Sequence, residues 1–354
     1  SNMQSNPYTL FELNNIVRQA IELTLRDEYW VEAELSEARE NNGHCYMELV
    51  QKDEHGNTPV ARASAKCWRS TWLAIRPKFE RLTNMRLCAG MKVLLKVYPQ
   101  FHEAYGFSWI VADIDPTYTL GDMARRRKEI IQRLKEEGVF DLNRQLPLPL
   151  FAQHIAVISS KTAAGYGDFC NQLNDNSYGF RFKTTLFAAT MQGEGVEQSI
   201  ISKLNEIYER ENEFDCVVII RGGGASSDLS GFDSLALAEN IANFPLPVIT
   251  GIGHERDETV ADMVAHMRVK TPTAAAALLI DNLCKVADRI LNVQQRIYGY
   301  LDIKMKTEQQ RLLRFSKMIP ALFSLVSTKQ TARVDSLAQR LSVSSQRIIV
   351  EGRS

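Results

Sequence analysis

The chain has 354 residues, 42 basic and 42 acidic, giving a formal net charge of zero, with 45% hydrophobic residues. That length exceeds what one compact core usually serves and predicts two or three domains, while the composition excludes a disordered or fibrous chain. No run approaches the about 18 to 20 apolar residues that a membrane helix needs, and no secretion signal opens the sequence, so the expectation is a cytoplasmic protein without a membrane partner.

From the amino terminus, Thr9-Leu-Phe-Glu12 has the form of a capping box and starts an amphipathic helix running to about Leu25. Period-two segments follow at about 29–37, 44–51, 60–68, 91–98 and 107–115, with a helical stretch between the third and fourth. Five strands with a helix in that place predict an all-β OB-fold over residues 1–120. In "VARASAKCW" one face carries Arg62, Ser64, Lys66 and Trp68, and in "MKVLLKVY" Lys92, Lys96 and Tyr98 share a face. Between Val60 and Tyr98 there are nine Lys/Arg and one acid, Glu80. A polyanion responds to such a local block rather than to the total charge, so Arg62, Lys66, Trp68, Lys92 and Lys96 are candidate single-strand contacts: cations for the backbone, a ring for a base. The competing reading is that both faces are the solvated exterior of a small barrel.

"GDMARRRKEIIQRLKEEG" reads as a charged helix ending at Gly138, and "LNRQLPLPLF" as an extended continuation; together they make a linker over 121–149. Beyond it, "HIAVIS", "TTLFAA", "DCVVII" and "LPVIT" are short, poor in charge and separated by helical stretches, as in an α/β domain with a parallel sheet over 150–281. The loops after three of them are "SKTAAGYGD", "RGGGASSD" and "GIGHERDET". Carboxyl ends of parallel strands share one edge, so these loops should meet there. Ser160, Lys161, Gly222, Gly223 and Gly224 can cradle a phosphate through hydroxyls, a cation and backbone N–H groups. Arg221 can clamp it bidentately, His254 can transfer a proton near neutral pH, and Asp257 can orient that imidazole, with Asp168 just beyond the first loop. Asp228 and Asp262 read better as caps or surface acids. These parts suit phosphodiester hydrolysis; a non-catalytic single-strand binder and an α/β enzyme of nucleotides or sugar phosphates stay open as alternatives. Metal assistance through Asp168, Asp257 and Asp262, with Mg²⁺, is the competing mechanism.

In the last segment, 282–354, Lys and Arg outnumber acids thirteen to five from Lys285 to Arg353. Leu279, Leu283, Val286, Ile290, Val293, Ile297 and Tyr300 follow coiled-coil spacing, which predicts a long helical extension with a docking stripe, or internal packing against a returning helix at Ala321–Ile349. The six cysteines are scattered and predicted to be reduced.

"AVISSKTAAGYGD", "RGGGASSDLSGF" and "ITGIGHERDETVADMVAHMRVKTPTAAAALL" resemble the core motifs of the exodeoxyribonuclease VII large-subunit family. The resemblance implies a cytoplasmic bacterial nuclease that degrades single-stranded DNA from both ends into oligonucleotides, without an obligatory cofactor though Mg²⁺ can be present. It also implies several copies of a small helical subunit as partner. By motif, the family's catalytic Asp, Arg, His and Asp fall on Asp168, Arg221, His254 and Asp257. Family members usually continue into a strand-rich tail, and this chain reaches Ser354 without one.

Overall fold

The computed structural model describes residues 6–56, 58–222, 229–253 and 257–353. Thr9 caps helix α1 (Leu10–Thr24) with both halves of the box formed, its hydroxyl accepting from Glu12 N and the Glu12 carboxylate accepting from Thr9 N. Strands β1 (Tyr29–Asn41), β2 (His44–Lys52), β3 (Pro59–Cys67), β4 (Lys92–His102) and β5 (Gly106–Ile114) close a barrel in the order β1-β2-β3-β5-β4. Asn42 and Gly43 both take positive φ, 53° and 83°, which matches the right-handed twist of the hairpin they close. Helix α2 (Arg69–Thr83) sits between β3 and β4 as expected and buries Trp72, Ile75 and Phe79 in the barrel core with Leu35, Met47, Val93 and Leu95.

Asp115 caps helix α3 (Pro116–Glu136), which therefore starts before the segment expected from charge alone. Its first half rests on the barrel: Thr119 donates to the Lys92 carbonyl at 2.9 Å and Met123 packs on the barrel core. Its second half belongs to the next core, where Leu134 is fully buried and Ile130 and Ile131 pack. Gly138 follows at φ 74°, the left-handed value expected beyond a helix end. The extended linker expected after it is corrected by a short helix, α4 (Leu142–Gln145). Its buried Asn143 donates to the carbonyls of Phe244 and Leu246 and accepts from Val248 N, so this stretch is pinned to the sheet rather than free.

The sheet contains β6 (His154–Ser159), β7 (Lys183–Ala188), β8 (Cys216–Ile220), β9 (Val248–Gly251) and β10 (Met267–Arg268). All are parallel, in the order β10-β9-β8-β6-β7. Their crossovers run through α5 (Ala164–Asn174), α6 (Val196–Glu209), α7 (Leu235–Ala242) and α8 (Val260–Val264). Every residue of β8 is buried, which is why its sequence is unbroken apolar rather than alternating. The two-residue β10 has too little pattern to be read in advance. Strand order reverses between β6 and β8, and in such sheets the crevice outside the carboxyl ends at that reversal is where ligands bind.

By chain contacts, 1–283 form one unit and 284–354 another. The second is helical to Glu351, continuing α9 (Pro272–Glu351) without a break, Pro320 included. The expected returning helix at Ala321–Ile349 is corrected: it is the same helix. The predicted stripe divides, for Leu279, Leu283 and Val286 are buried whereas Ile290, Val293, Ile297 and Tyr300 are 51–63% exposed. Among the described residues no helix is long and apolar enough to cross a membrane.

Candidate active site

Two of the three predicted loops meet at the reversal between β6 and β8. A Cβ added to Gly165, at the start of α5, would lie 2.9 Å from Gly222 Cα and 3.2 Å from Gly222 N. One added to Gly222 would lie 3.2 Å from Gly165 N. The two backbones touch, and only glycine at both positions lets the loop after β8 lie against the amino end of α5. Arg221 leaves the end of β8 almost wholly buried, its N–H donating to the Gly251 carbonyl at 3.1 Å, which ties the second loop to the third. In the third loop, a Cβ on Gly253 would meet the Asp257 carbonyl oxygen at 2.8 Å.

A cavity of about 610 Å³ opens at this edge, lined by Arg221, Gly222, Gly253, Asp257 and Lys270 on the sheet side. Its opposite wall comes from α3 and from the end of α2, an arrangement no local pattern foretold. Arg127 of α3 reaches across to the Glu258 carbonyl and donates to it. Asp257 is exposed, available to a ligand or to a neighbouring side chain.

The remaining candidates fall as follows. Asp168 lies on α5, one helical turn beyond Ala164 and exposed, and is not among the described residues lining the cavity. Ser160 and Lys161 precede α5, with the Ser160 and Thr162 hydroxyls 3.4 Å apart and Lys161 exposed. His254, Gly223, Gly224 and Asp228 lie outside the described residues. Asp262 is a cap, as its sequence context suggested: one carboxylate oxygen accepts from Thr250 Oγ1 at 2.6 Å, the other from Thr259 N and Oγ1, both at 2.9 Å. With both oxygens engaged and the residue buried, its part in a metal-holding trio is corrected to a structural one. Among the described residues no three His, Cys, Asp or Glu side chains gather as a metal site.

On the barrel the five candidate contacts separate. Lys66 Nζ stands 6.0 Å over the Trp68 ring. Unforeseen neighbours join that pair: His44 meets Trp68 edge-on at 5.3 Å between centroids and Tyr46 at 6.5 Å, and Arg39 lies 5.9 Å over Tyr46. Arg62 is exposed farther along β3. Lys92 and Lys96 sit on β4, which pairs with β1 and β5 and not with β3, so the two predicted faces lie on strands that β5 separates. Lys96 is committed to an ion pair with Glu28 at 3.0 Å. Strand alternation was legible, whereas barrel closure, which decides which strands adjoin, is not a local property.

The closed five-stranded barrel is an OB-fold followed by an α/β domain with a parallel sheet, and residues 8–115 match the family described as OB-fold nucleic acid binding domain. Residues 139–354 match the family described as Exonuclease VII, large subunit. The chain belongs to the exonuclease VII large-subunit family, and so to the exodeoxyribonucleases, which are hydrolases. It is 39% identical over 285 residues to the exodeoxyribonuclease 7 large subunit of Deinococcus radiodurans, covering 78% of this chain and 68% of that protein. The protein of the same name from a Cyanothece species is 30% identical over 324 residues, 87% of this chain and 72% of the relative. That from Shouchella clausii is 29% identical over 339 residues, 94% and 70% respectively.

Proposed function

We propose that this chain is the catalytic large subunit of a nuclease that hydrolyses single-stranded DNA from both the 5' and 3' ends to oligonucleotides, and that the crevice at the β6–β8 reversal is where the phosphodiester is cut. The observation that carries this reading is the contact of Gly165 with Gly222 beside buried Arg221. Backbone N–H groups and one guanidinium are thereby held at a strand edge in a chain of this family. A fixed array of donors favours the charge that develops on the equatorial oxygens in the transition state, since it need not reorganise as the charge appears. Arg221 and the backbone N–H groups of Gly222, Gly223 and Gly224 supply those donors. Water attacks phosphorus, His254 takes its proton and returns one to the departing oxygen, and Asp257 orients the imidazole. Asp168, one turn up α5 from the loop contact, steadies the water or Arg221. Ser160 and Lys161 hold a flanking phosphate.

Support for the strand-holding role of the barrel comes from the ring and cation cluster at Lys66 and Trp68, with Arg62 farther along the same strand and Lys92 and Lys96 serving a second stretch of backbone. The exposed stripe at Ile290–Tyr300 supports docking of a small helical subunit in several copies, because an uncovered apolar seam on a helix is covered most simply by another helix. Six free thiols among the described residues support a cytoplasmic setting. No metal is obligatory in this mechanism, although Mg²⁺ can help to screen phosphate charge.

The test uses the full chain with its small subunit and end-labelled single- and double-stranded DNA in excess EDTA. Cleavage of the single strand, and its loss in His254→Ala with DNA binding retained, is the expected result. Cleavage that stops with EDTA and returns with Mg²⁺ would replace the protonic mechanism by a metal-assisted one. A His254→Ala enzyme cutting at the parental rate would remove the histidine from either scheme.

A further inference from the structure

The cavity beside Arg221 is larger and more apolar than a phosphodiester requires. Polar groups line it on both sides, Arg221, Asp257 and Lys270 at the sheet edge and Asn84, Arg127 and Lys128 on the helix side, and Met85, Leu120, Met123, Ala124, Ile131 and Ile252 make up much of the remaining surface. Four of these are accounted for by their own cores: Met85 and Met123 pack in or on the barrel core, and Ile131 and Ile252 on or in the sheet core. Leu120 and Ala124 are not; both are exposed on α3 and line the cavity. A volume of about 610 Å³ falls within the about 300–1,000 Å³ typical of small-ligand sites, which combine apolar walls with a few placed polar groups.

We propose, on the basis of the nuclease reading above, that this pocket receives a nucleobase of the strand being cut, next to the phosphodiester held by Arg221 and Gly222. A base presents two flat, polarisable faces, and methionine thioethers with aliphatic side chains make good surfaces for such a ring. The phosphate attached to that nucleoside then lies against Arg221 and Gly222, so one nucleotide spans the cavity. Discrimination against duplex follows from geometry, since a base must leave its stack and its partner to enter a pocket, a penalty that a single strand largely avoids. Charge alone gives no such preference, because a duplex carries the higher density of phosphate along its length.

Ala124→Trp tests this, because it fills the pocket from an exposed helical position without disturbing either core. The full chain with its small subunit is given two end-labelled single strands, one with a thymidine tract and one with an abasic tract of equal length. The wild type should cut the thymidine tract at least tenfold faster than the abasic one. Ala124→Trp, with an unchanged melting temperature, should lose at least tenfold on thymidine and stay within twofold on the abasic tract. Full activity of the variant on thymidine, or equal loss on both tracts, overturns the base pocket while leaving the nuclease reading in place. A wild type that cuts neither strand overturns the nuclease reading itself.

Discussion

Gly165→Ala and Gly167→Ala form a pair of substitutions two residues apart in α5 whose difference isolates one contact. A Cβ at Gly165 lies 2.9 Å from both Gly222 Cα and Pro272 Cγ, whereas one at Gly167 meets nothing within 4 Å. Carbon atoms rest at about 3.5–4.0 Å, so the loop after β8 or Pro272 must retreat by roughly 0.6 Å or more to admit the methyl group. Such overpacking costs about 1–3 kcal/mol. Both substitutions also remove a helical glycine, a gain of roughly 0.5–1 kcal/mol that cancels in the difference. Gly167→Ala should thus be the more stable variant by about 1–3 kcal/mol, and more stable than the parent by about 0.5–1 kcal/mol, in urea titrations followed by circular dichroism. Activity should separate them further, because a displacement near 1 Å at reacting groups can cost about a hundredfold in rate. Gly165→Ala should fall tenfold or more in single-strand cleavage and Gly167→Ala should stay within twofold. Equal stability and equal cleavage for the two would refute the claim that the α5 start and the Gly222 turn are locked against each other.

Trp68→Ala should weaken single-strand binding by about 1–3 kcal/mol in fluorescence anisotropy, and parental affinity should fall steeply with salt; unchanged binding would remove the ring from the strand's path. Ile290→Asp should reduce assembly with the small subunit in analytical ultracentrifugation while leaving the melting temperature of the large subunit in place, and loss of its fold would point to internal packing instead. Asp262→Ala strands the buried Thr250 and Thr259 donors and should cost about 1–3 kcal/mol in urea. Burial pushes the thiols of Cys45, Cys67 and Cys216 from 9.0 up to about 12. The unfolded chain then loses these protons first, so the stability they support is full below pH 9 and drains as pH rises toward 12, which denaturation midpoints across that range would register. In the native protein, iodoacetamide should reach Cys88, Cys170 and Cys284 before those three.

What the sequence disclosed was mostly local. The Thr9–Glu12 box, the alternation around Lys66 and the apolar run of β8 each depend on a few neighbouring residues, and each took its expected form. The meeting of Gly165 with Gly222 followed from a topological rule: loops after parallel strands share an edge. Side chains that owe their place to closure or docking were hidden. Tyr46 and His44 join Trp68 only because β2 pairs with β3 in a set register, and Lys92 parts from Lys66 because β5 lies between their strands. Arg127 gave no sign of reaching Glu258, since within α3 it is one of three consecutive arginines on a charged helix. Asn143 was concealed for the opposite reason, because one polar residue among Asp141, Arg144 and Gln145 ahead of two prolines resembles an ordinary loop.

Helix α3 has a mechanical consequence. Its start is capped and bonded on the barrel, and its end inserts Leu134 into the core of the sheet domain. A splint of this kind leaves no swivel between barrel and sheet domain, so on the proposed function a strand held by the barrel pays no tether entropy to reach the crevice. The same splint dictates where the protein can be divided. A fragment starting at residue 139, where the nuclease family match begins, would bare the surface that Leu134, Ile130 and Ile131 now cover, and a chimera with a foreign barrel must carry α3 across intact. Barrel and sheet should accordingly melt in one calorimetric transition, as a single cooperative body.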